Sequence, residues 1–339
     1  MVKTLKHPPA TVKVYHGYGH KDNLILHGHV LAGKPVTRSR YTNNIIANIF
    51  HLVKLFFVKP LPNMHVSLQW NNQLLQAVTA DDGFFKFEWK SDNEIDAGWH
   101  DVIVNLLDET GSVSTTGEGK MFVPHSTQYA FISDIDDTIL VSYAASIFKR
   151  LQTLFTKNPH TRKTFADVVR HYGLLSMSHT TPSLPNPFFF VSSSEWNLYD
   201  DLKEFFKHND LPKGAFLLSE IKRWKQLLMS GKTKHGGKLM RVARILDVFP
   251  KQQFILLGDN SQHDPEIYAA IANKYPEKIA AVYIRNIAFK NEQATKQTLA
   301  TIKNKNTFTC LFAHTEEAIE YSKSIGLIDQ ADQTFPSSL

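Results

Sequence analysis

Residues 131–140, FISDIDDTIL, constrain this chain more than any other stretch. They begin as the short apolar run that makes a strand buried on both faces, and stop abruptly at Asp134, Asp136 and Asp137, with Thr138 behind them. Alternation along an extended backbone points Asp134 and Asp136 to one side, where like charges repel unless a cation accompanies them. In open parallel sheets, ligands bind beyond the carboxyl ends of strands, which is where these acids fall. A solvated turn with an Asp or Thr helix cap explains a lone DxD as well, so the reading depends on the rest of the chain.

From residue 126 onward, short apolar strands alternate with helical stretches, the pattern of an α/β domain built on a parallel sheet. Strands are expected at 129–133, 188–191, 254–257, 280–284 and near 308–312, and helices at 196–208, 238–248, 265–274 and 316–324. The second strand runs into Ser192, Ser193 and Ser194, with a helix expected to open at Glu195-Trp196. Hydroxyls and free amides at a helix N-terminus make an anion site, although one serine could simply cap the helix. The third strand runs into Gly258, which permits a tight turn, then Asp259 and Asp264. Hard oxygen ligands of this kind suit Mg²⁺; Asp264 could equally cap the helix before Pro265, so Asp259 is the surer ligand. Lys238 opens the preceding helix, where its charge could offset both phosphoryl oxygens and the carboxylates, with Lys232, Lys234 and His235 as rivals.

Residues 1–125 read differently. Short β-type runs at 12–15, 24–31, 66–70, 74–78, 84–89 and 102–107 are separated by turn signals such as Gly17-Tyr18-Gly19 and Asp81-Asp82-Gly83, which suggests a small antiparallel sandwich or barrel. The Asp81-Asp82 pair reads as a hairpin before a metal site. Residues 43–58 interrupt this pattern, with Ile45, Ile49, Leu52, Val53 and Phe56 at helical spacing. Such a helix either packs on the sheet, the reading favoured here, or lies in a lipid interface.

The hydrophobic fraction of 42% is that of a folded globular chain. A formal charge of +6 suits anionic partners, and no zinc spacing, RNA-binding aromatic motif or long basic run points to nucleic acid. Cys310 is the single cysteine, so no internal disulfide forms and a reducing, cytoplasmic compartment is expected. No apolar run reaches the roughly 18 residues of a spanning helix, and the first residues lack the apolar core of a signal peptide, leaving peripheral contact as the expected relation to a membrane.

Taken together, the DxDxT strand end, the serine-ended strand, Lys238 and the Gly258-Asp259 loop resemble a haloacid dehalogenase-type phosphohydrolase. Within that superfamily SDIDDTI, FFFVSSSEWNLYDDL, HGGKLMRVARILDVFP, LLGDNSQHDPEIY and VYIRN closely resemble the actin-patch-associated phosphatidate phosphatase family and its bacterial relatives, and VYHGYG, HGHVLAGKP and DDGFFKF extend the likeness to the front of the chain. The resemblance implies a haloacid dehalogenase-like, Rossmann-type catalytic domain over 126–339, with a helical cap at about 141–187, preceded by the β domain. It implies Asp134 as nucleophile, Asp136 as acid and base, Thr138 and Ser192 as phosphoryl holders and Lys238 as counter-charge. It also implies Mg²⁺ held by Asp134, the Asp136 carbonyl, Asp259 and Asp264, the last directly or through water. Ser193, Lys149 and Arg150 are the expected substrate contacts. Glu195, Ser261 and Asn286 stand where the family usually has proline, glycine and aspartate, and none of these removes an expected catalytic group.

Two helical stretches are expected in the insertion, at 143–155 and 164–175, the first basic and amphipathic as a lid over an anionic lipid requires, or as a solvated helix packed on the domain would also be. The expected function is Mg²⁺-dependent hydrolysis of phosphatidate, or other anionic phospholipid, at a membrane surface. The same chemistry on a soluble phosphate ester or phosphoprotein is the alternative, and a catalytically silent lipid-binding module is the reading from another class.

Overall fold

The computed structural model describes residues 9–34, 44–126, 128–136, 138–139, 160, 164–165, 167–220 and 235–329. The helix expected at 143–155, with Lys149 and Arg150, lies outside them, as do Asp137, Lys232 and Lys234. The chain forms two compact units: one holds the chain up to His125 together with Ser194–Tyr199, the other most of the remainder.

In the first unit, β1 (Ala10–Val14), β2 (Gly17–His20), β3 (Asn23–Ala32), β4 (His65–Trp70), β5 (Gln73–Val78), β6 (Phe84–Trp89), β7 (Gly98–Leu107) and β8 (Val113–Val123) form one eight-stranded sheet. Its order is β1-β3-β2-β8-β7-β4-β5, with β6 on β3. Alternation places Val102, Val104 and Leu106 of β7 inside with Leu24, Leu26, Val66, Leu68, Phe85 and Phe87, and burying each contributes about 1.5–3 kcal/mol. The sheet is not purely antiparallel. β2 pairs β8 in parallel, Gly17 with Met121 and Tyr18 with Phe122, a pairing open to strands that are far apart in sequence and not joined by a tight hairpin. The turn expected at Gly17-Tyr18-Gly19 is therefore strand. β8 carries little apolar alternation because Gly117 and Gly119 lie against β1; a Cβ on Gly117 would come within 2.3 Å of the Val12 carbonyl oxygen. Helix α1 (Ile45–Phe56) interrupts the strands where expected, its N-terminus capped by Asn44, which accepts from the Ile46 and Ala47 amides at 2.9 and 3.2 Å.

The second unit is built on β9 (Tyr129–Ser133), β10 (Phe188–Glu195), β11 (Gly214–Ser219), β12 (Gln253–Asp259), β13 (Ile279–Arg285) and β14 (Phe308–Phe312), in the order β11-β10-β9-β12-β13-β14. The β10–β9, β9–β12, β12–β13 and β13–β14 pairings are parallel. Counted along the chain this is the order 3-2-1-4-5-6 of a doubly wound sheet, whose direction of winding reverses at β9 and β12. The helices are α2 (Val168–Ser176), α3 (Tyr199–His208), α4 (His235–Val248), α5 (Asp264–Lys274), α6 (Glu292–Leu299) and α7 (Thr315–Ser324). β10 continues through the three serines to Glu195, and a 3₁₀ turn, Trp196–Leu198, precedes α3, so the expected helix at Glu195-Trp196 is displaced. Among the described residues no helix is long and apolar enough to cross a membrane.

Candidate active site

β9 and β12 lie side by side, with Leu257 opposite Ser133, and the Asp134 amide donates to the Leu257 carbonyl at 2.9 Å. That register brings Asp134 and Asp259 together at the carboxyl ends of the two strands where the winding reverses, the position at which open α/β sheets bind ligands. The first turn of α5 adds Asp264. One carboxylate oxygen from each of Asp134, Asp259 and Asp264 lies within 4.8 Å of the others, and all three residues are buried.

The charge of this cluster is only partly offset. The Lys238 ammonium, on the first turn of α4, lies 2.8 Å from Asp134 Oδ1 and also bonds Asp264 Oδ1. Burial alone would pull Lys238 down; Asp134 and Asp264 outweigh it and hold the ammonium above its ordinary range. Burial pushes Asp134 well up against the pull of Lys238, and Asp264, Asp259 and Asp136 push it further. Asp259 is pushed up to about 7, by burial and then by Asp264, against the Ser261 amide that donates to its Oδ1 at 2.6 Å. Asp134 Oδ2 is buried with no hydrogen-bond partner. An acceptor so placed among three acids and one lysine is suited to a hard divalent cation, and Asp134, Asp259 and Asp264 are the residues that would hold one.

The cluster extends through hydrogen bonds to Asp136 and Thr138. Ser192 Oγ donates to Asp136 Oδ2 at 3.1 Å, and Thr138 Oγ1 to Asp259 Oδ2 at 3.4 Å. Ser192 acts here from within a strand, without the helix-terminal amides expected beside it. Ser193 is next in the strand, so alternation turns its side chain to the other side from Ser192. Asp264 does not act as a cap for α5: its carboxylate receives Lys238 and, at 3.3 Å, the Asp259 amide. Gly258 lies within β12 rather than in a tight turn, and its lack of a side chain leaves room for Asp264.

Three contributors went unread in the sequence. Arg241, one turn after Lys238 on α4, donates from Nη2 to the Ser192 carbonyl at 3.2 Å, while its Nε is buried without a partner. The i, i+3 spacing from Lys238 was the available signal. Tyr172 shares a 2.7 Å hydrogen bond with Ser133, whose hydroxyl donates to the Asp134 carbonyl at 2.6 Å, bracing the strand end from below. Asn260 receives the Ile287 and Ala288 amides at 3.0 and 2.8 Å and donates to Asn286 Oδ1 at 2.7 Å, tying the loop after β12 to the loop after β13.

Residues 129–286 match the family model described as the catalytic domain of phosphatidate phosphatase APP1. Phosphatidate phosphatase APP1 of Saccharomyces cerevisiae is 36% identical over 98 residues, 29% of this chain and 16% of that protein. An uncharacterized protein of Schizosaccharomyces pombe is 24% identical over 160 residues, 47% of this chain and 25% of its own. The chain thus matches a quarter or less of the length of these relatives. Among solved structures, a carbohydrate acetylesterase from Xanthomonas citri covers 94% of this chain and 74% of its own at 9% identity, but its TM-score of 0.37 is too low to carry a shared fold. The matched residues 129–286 contain Asp134, Asp136, Thr138, Ser192, Lys238, Asp259 and Asp264, so all the residues of the candidate site fall within the stretch similar to the APP1 phosphatidate phosphatase catalytic domain.

Proposed function

We propose that this chain is a Mg²⁺-dependent phosphatase of the haloacid dehalogenase type that hydrolyses phosphatidate to diacylglycerol and phosphate. The observation that carries this reading is the buried triad Asp134, Asp259 and Asp264 with Lys238 on two of its members. In the proposed reaction the Asp134 carboxylate attacks phosphorus, the P–O bond to the glyceride breaks, and Asp136 gives its proton to the departing alkoxide. Water then attacks the aspartyl phosphate, Asp136 takes a proton back, and phosphate leaves with Asp134 regenerated. Ser192 orients Asp136 through the 3.1 Å bond, and Lys238 holds Asp134 in place while offsetting its charge. A bound Mg²⁺ supplies charge stabilisation for the phosphoryl oxygens.

Phosphate release from phosphatidate in mixed micelles tests this. Turnover that requires Mg²⁺ and disappears in Asp134→Asn and Asp136→Asn is expected. Cleavage of a soluble aryl phosphate without any of phosphatidate would keep the mechanism and move the substrate to soluble esters. No turnover of either would overturn the reading.

A further inference from the structure

Among the described residues of helix α1, some large apolar side chains are buried and others face solvent. Leu55 and Phe56 are buried in the first unit, where Asn197 Nδ2 of the same unit donates to the Leu55 carbonyl at 2.7 Å. Away from Leu55, Ile46 and Phe50, one turn apart, are 65% and 64% exposed, and Phe57 just past the helix end is 67% exposed. At about 100° per residue, positions 46 and 50 lie about 40° apart, whereas position 55 lies on the far side. A helix serving only to cover the sheet would turn its largest apolar side chains inward, and α1 turns two of them out.

Charge says what this face meets. Residues 23–80 contain no Asp or Glu, although the chain has 32, and they carry Lys34, Arg38, Arg40, Lys54 and Lys59. Within that stretch Lys54 and Lys59 are exposed on and just after α1. Aromatic and aliphatic side chains projecting from an acid-free, basic helix match the interface of an anionic bilayer, which takes apolar groups at the acyl boundary and cations at the headgroups. We infer that α1 docks on an anionic phospholipid surface through Ile46 and Phe50, with Lys54 and Lys59 against the headgroups. This rests on the lipid-phosphatase reading for its purpose, and its test is independent of turnover.

The test is co-sedimentation of the full chain with phosphatidylcholine vesicles, with and without phosphatidylserine. The unaltered protein is expected to sediment with the mixed vesicles and less with neutral ones. Ile46→Gln with Phe50→Gln is expected to weaken binding at least about tenfold, and Lys54→Gln with Lys59→Gln to remove most of its dependence on the anionic lipid. Aryl phosphate turnover should be unchanged in both variants, so a failure of docking is distinguishable from a failure of the phosphatase reading. Equal sedimentation of the Ile46/Phe50 variant, or none by the unaltered protein, would overturn the inference. A concentration-dependent dimer without vesicles that the same variant abolishes would overturn it too, by giving the face to a second copy of the chain.

Discussion

Asp264 occupies the space that a side chain at Gly258 would need: a Cβ built on Gly258 would lie 2.5 Å from Asp264 Oδ2 and 2.9 Å from Asp264 Cβ. The Tyr268 ring, 2.7 Å from the same point, closes the other exit. The glycine is thus a condition for the carboxylate triad. Gly258→Ala should displace Asp264 and cost roughly 1–3 kcal/mol of stability as an overpacking change. Isothermal titration with Mg²⁺ and urea unfolding in chelator check the two effects separately, and retention of wild-type metal affinity would refute the packing argument.

Asp259 gives a prediction with a definite sign. Its folded value of about 7 lies above the ordinary 3.8, so between these the native state holds a proton the unfolded chain has released. Without metal, Asp259 therefore costs stability progressively as pH rises from 3.8 to about 7. At alkaline pH in chelator, Asp259→Asn should be more stable than the unaltered protein by on the order of 1–4 kcal/mol, and the gap should close toward acid pH. Excess Mg²⁺ should reverse the order, since ligand binding stabilises only the chain that can hold it. Thermal unfolding across pH, with and without Mg²⁺, reads both.

The buried histidines act in the opposite sense. Burial lowers His171 to about 3, helped by Arg285, and lowers His29 to about 3, helped by Lys13. Both are neutral when folded and charge on unfolding below 6.5, so stability present above that value is lost as pH falls toward 3. The loss approaches about 1.4 kcal/mol per pH unit for each histidine. Urea midpoints on either side of the histidine range should show it, and His171→Gln should flatten the dependence.

Arg241 should matter to substrate more than to fold. Its guanidinium reaches the Ser192 carbonyl while Nε stays unpaired beside the carboxylate cluster. Arg241→Lys keeps the charge and loses the planar fork, and should lower kcat/KM about tenfold or more, chiefly through KM. A matching loss of orthophosphate inhibition would tie the effect to anion binding. Unchanged KM would confine Arg241 to bracing the end of β10.

The strands of the parallel sheet were readable because each is an apolar run that stops at polar residues. FISD, FFFVSSS and FILLGD mark both the strands and the edge where the residues of the candidate site gather. Elements lacking a periodic apolar signal were not readable. β8 replaces side chains with Gly117 and Gly119 where β1 crosses it, and α6 buries only Thr295 and Leu299 of its eight residues, too few to draw a stripe.

The sequence by itself determined the residue types of the candidate site and the α/β class of the second unit, since hydrophobic periodicity and strand-end acids are local properties. Tertiary structure alone decided three things. The register of β9 against β12 set Asp134 beside Asp259, the packing of α5 against Gly258 made Asp264 a partner of Lys238 instead of a cap, and the seating of α1 buried Leu55 and Phe56 while leaving Ile46 and Phe50 outside. Each depends on contacts between segments far apart in the chain, which local propensity does not encode.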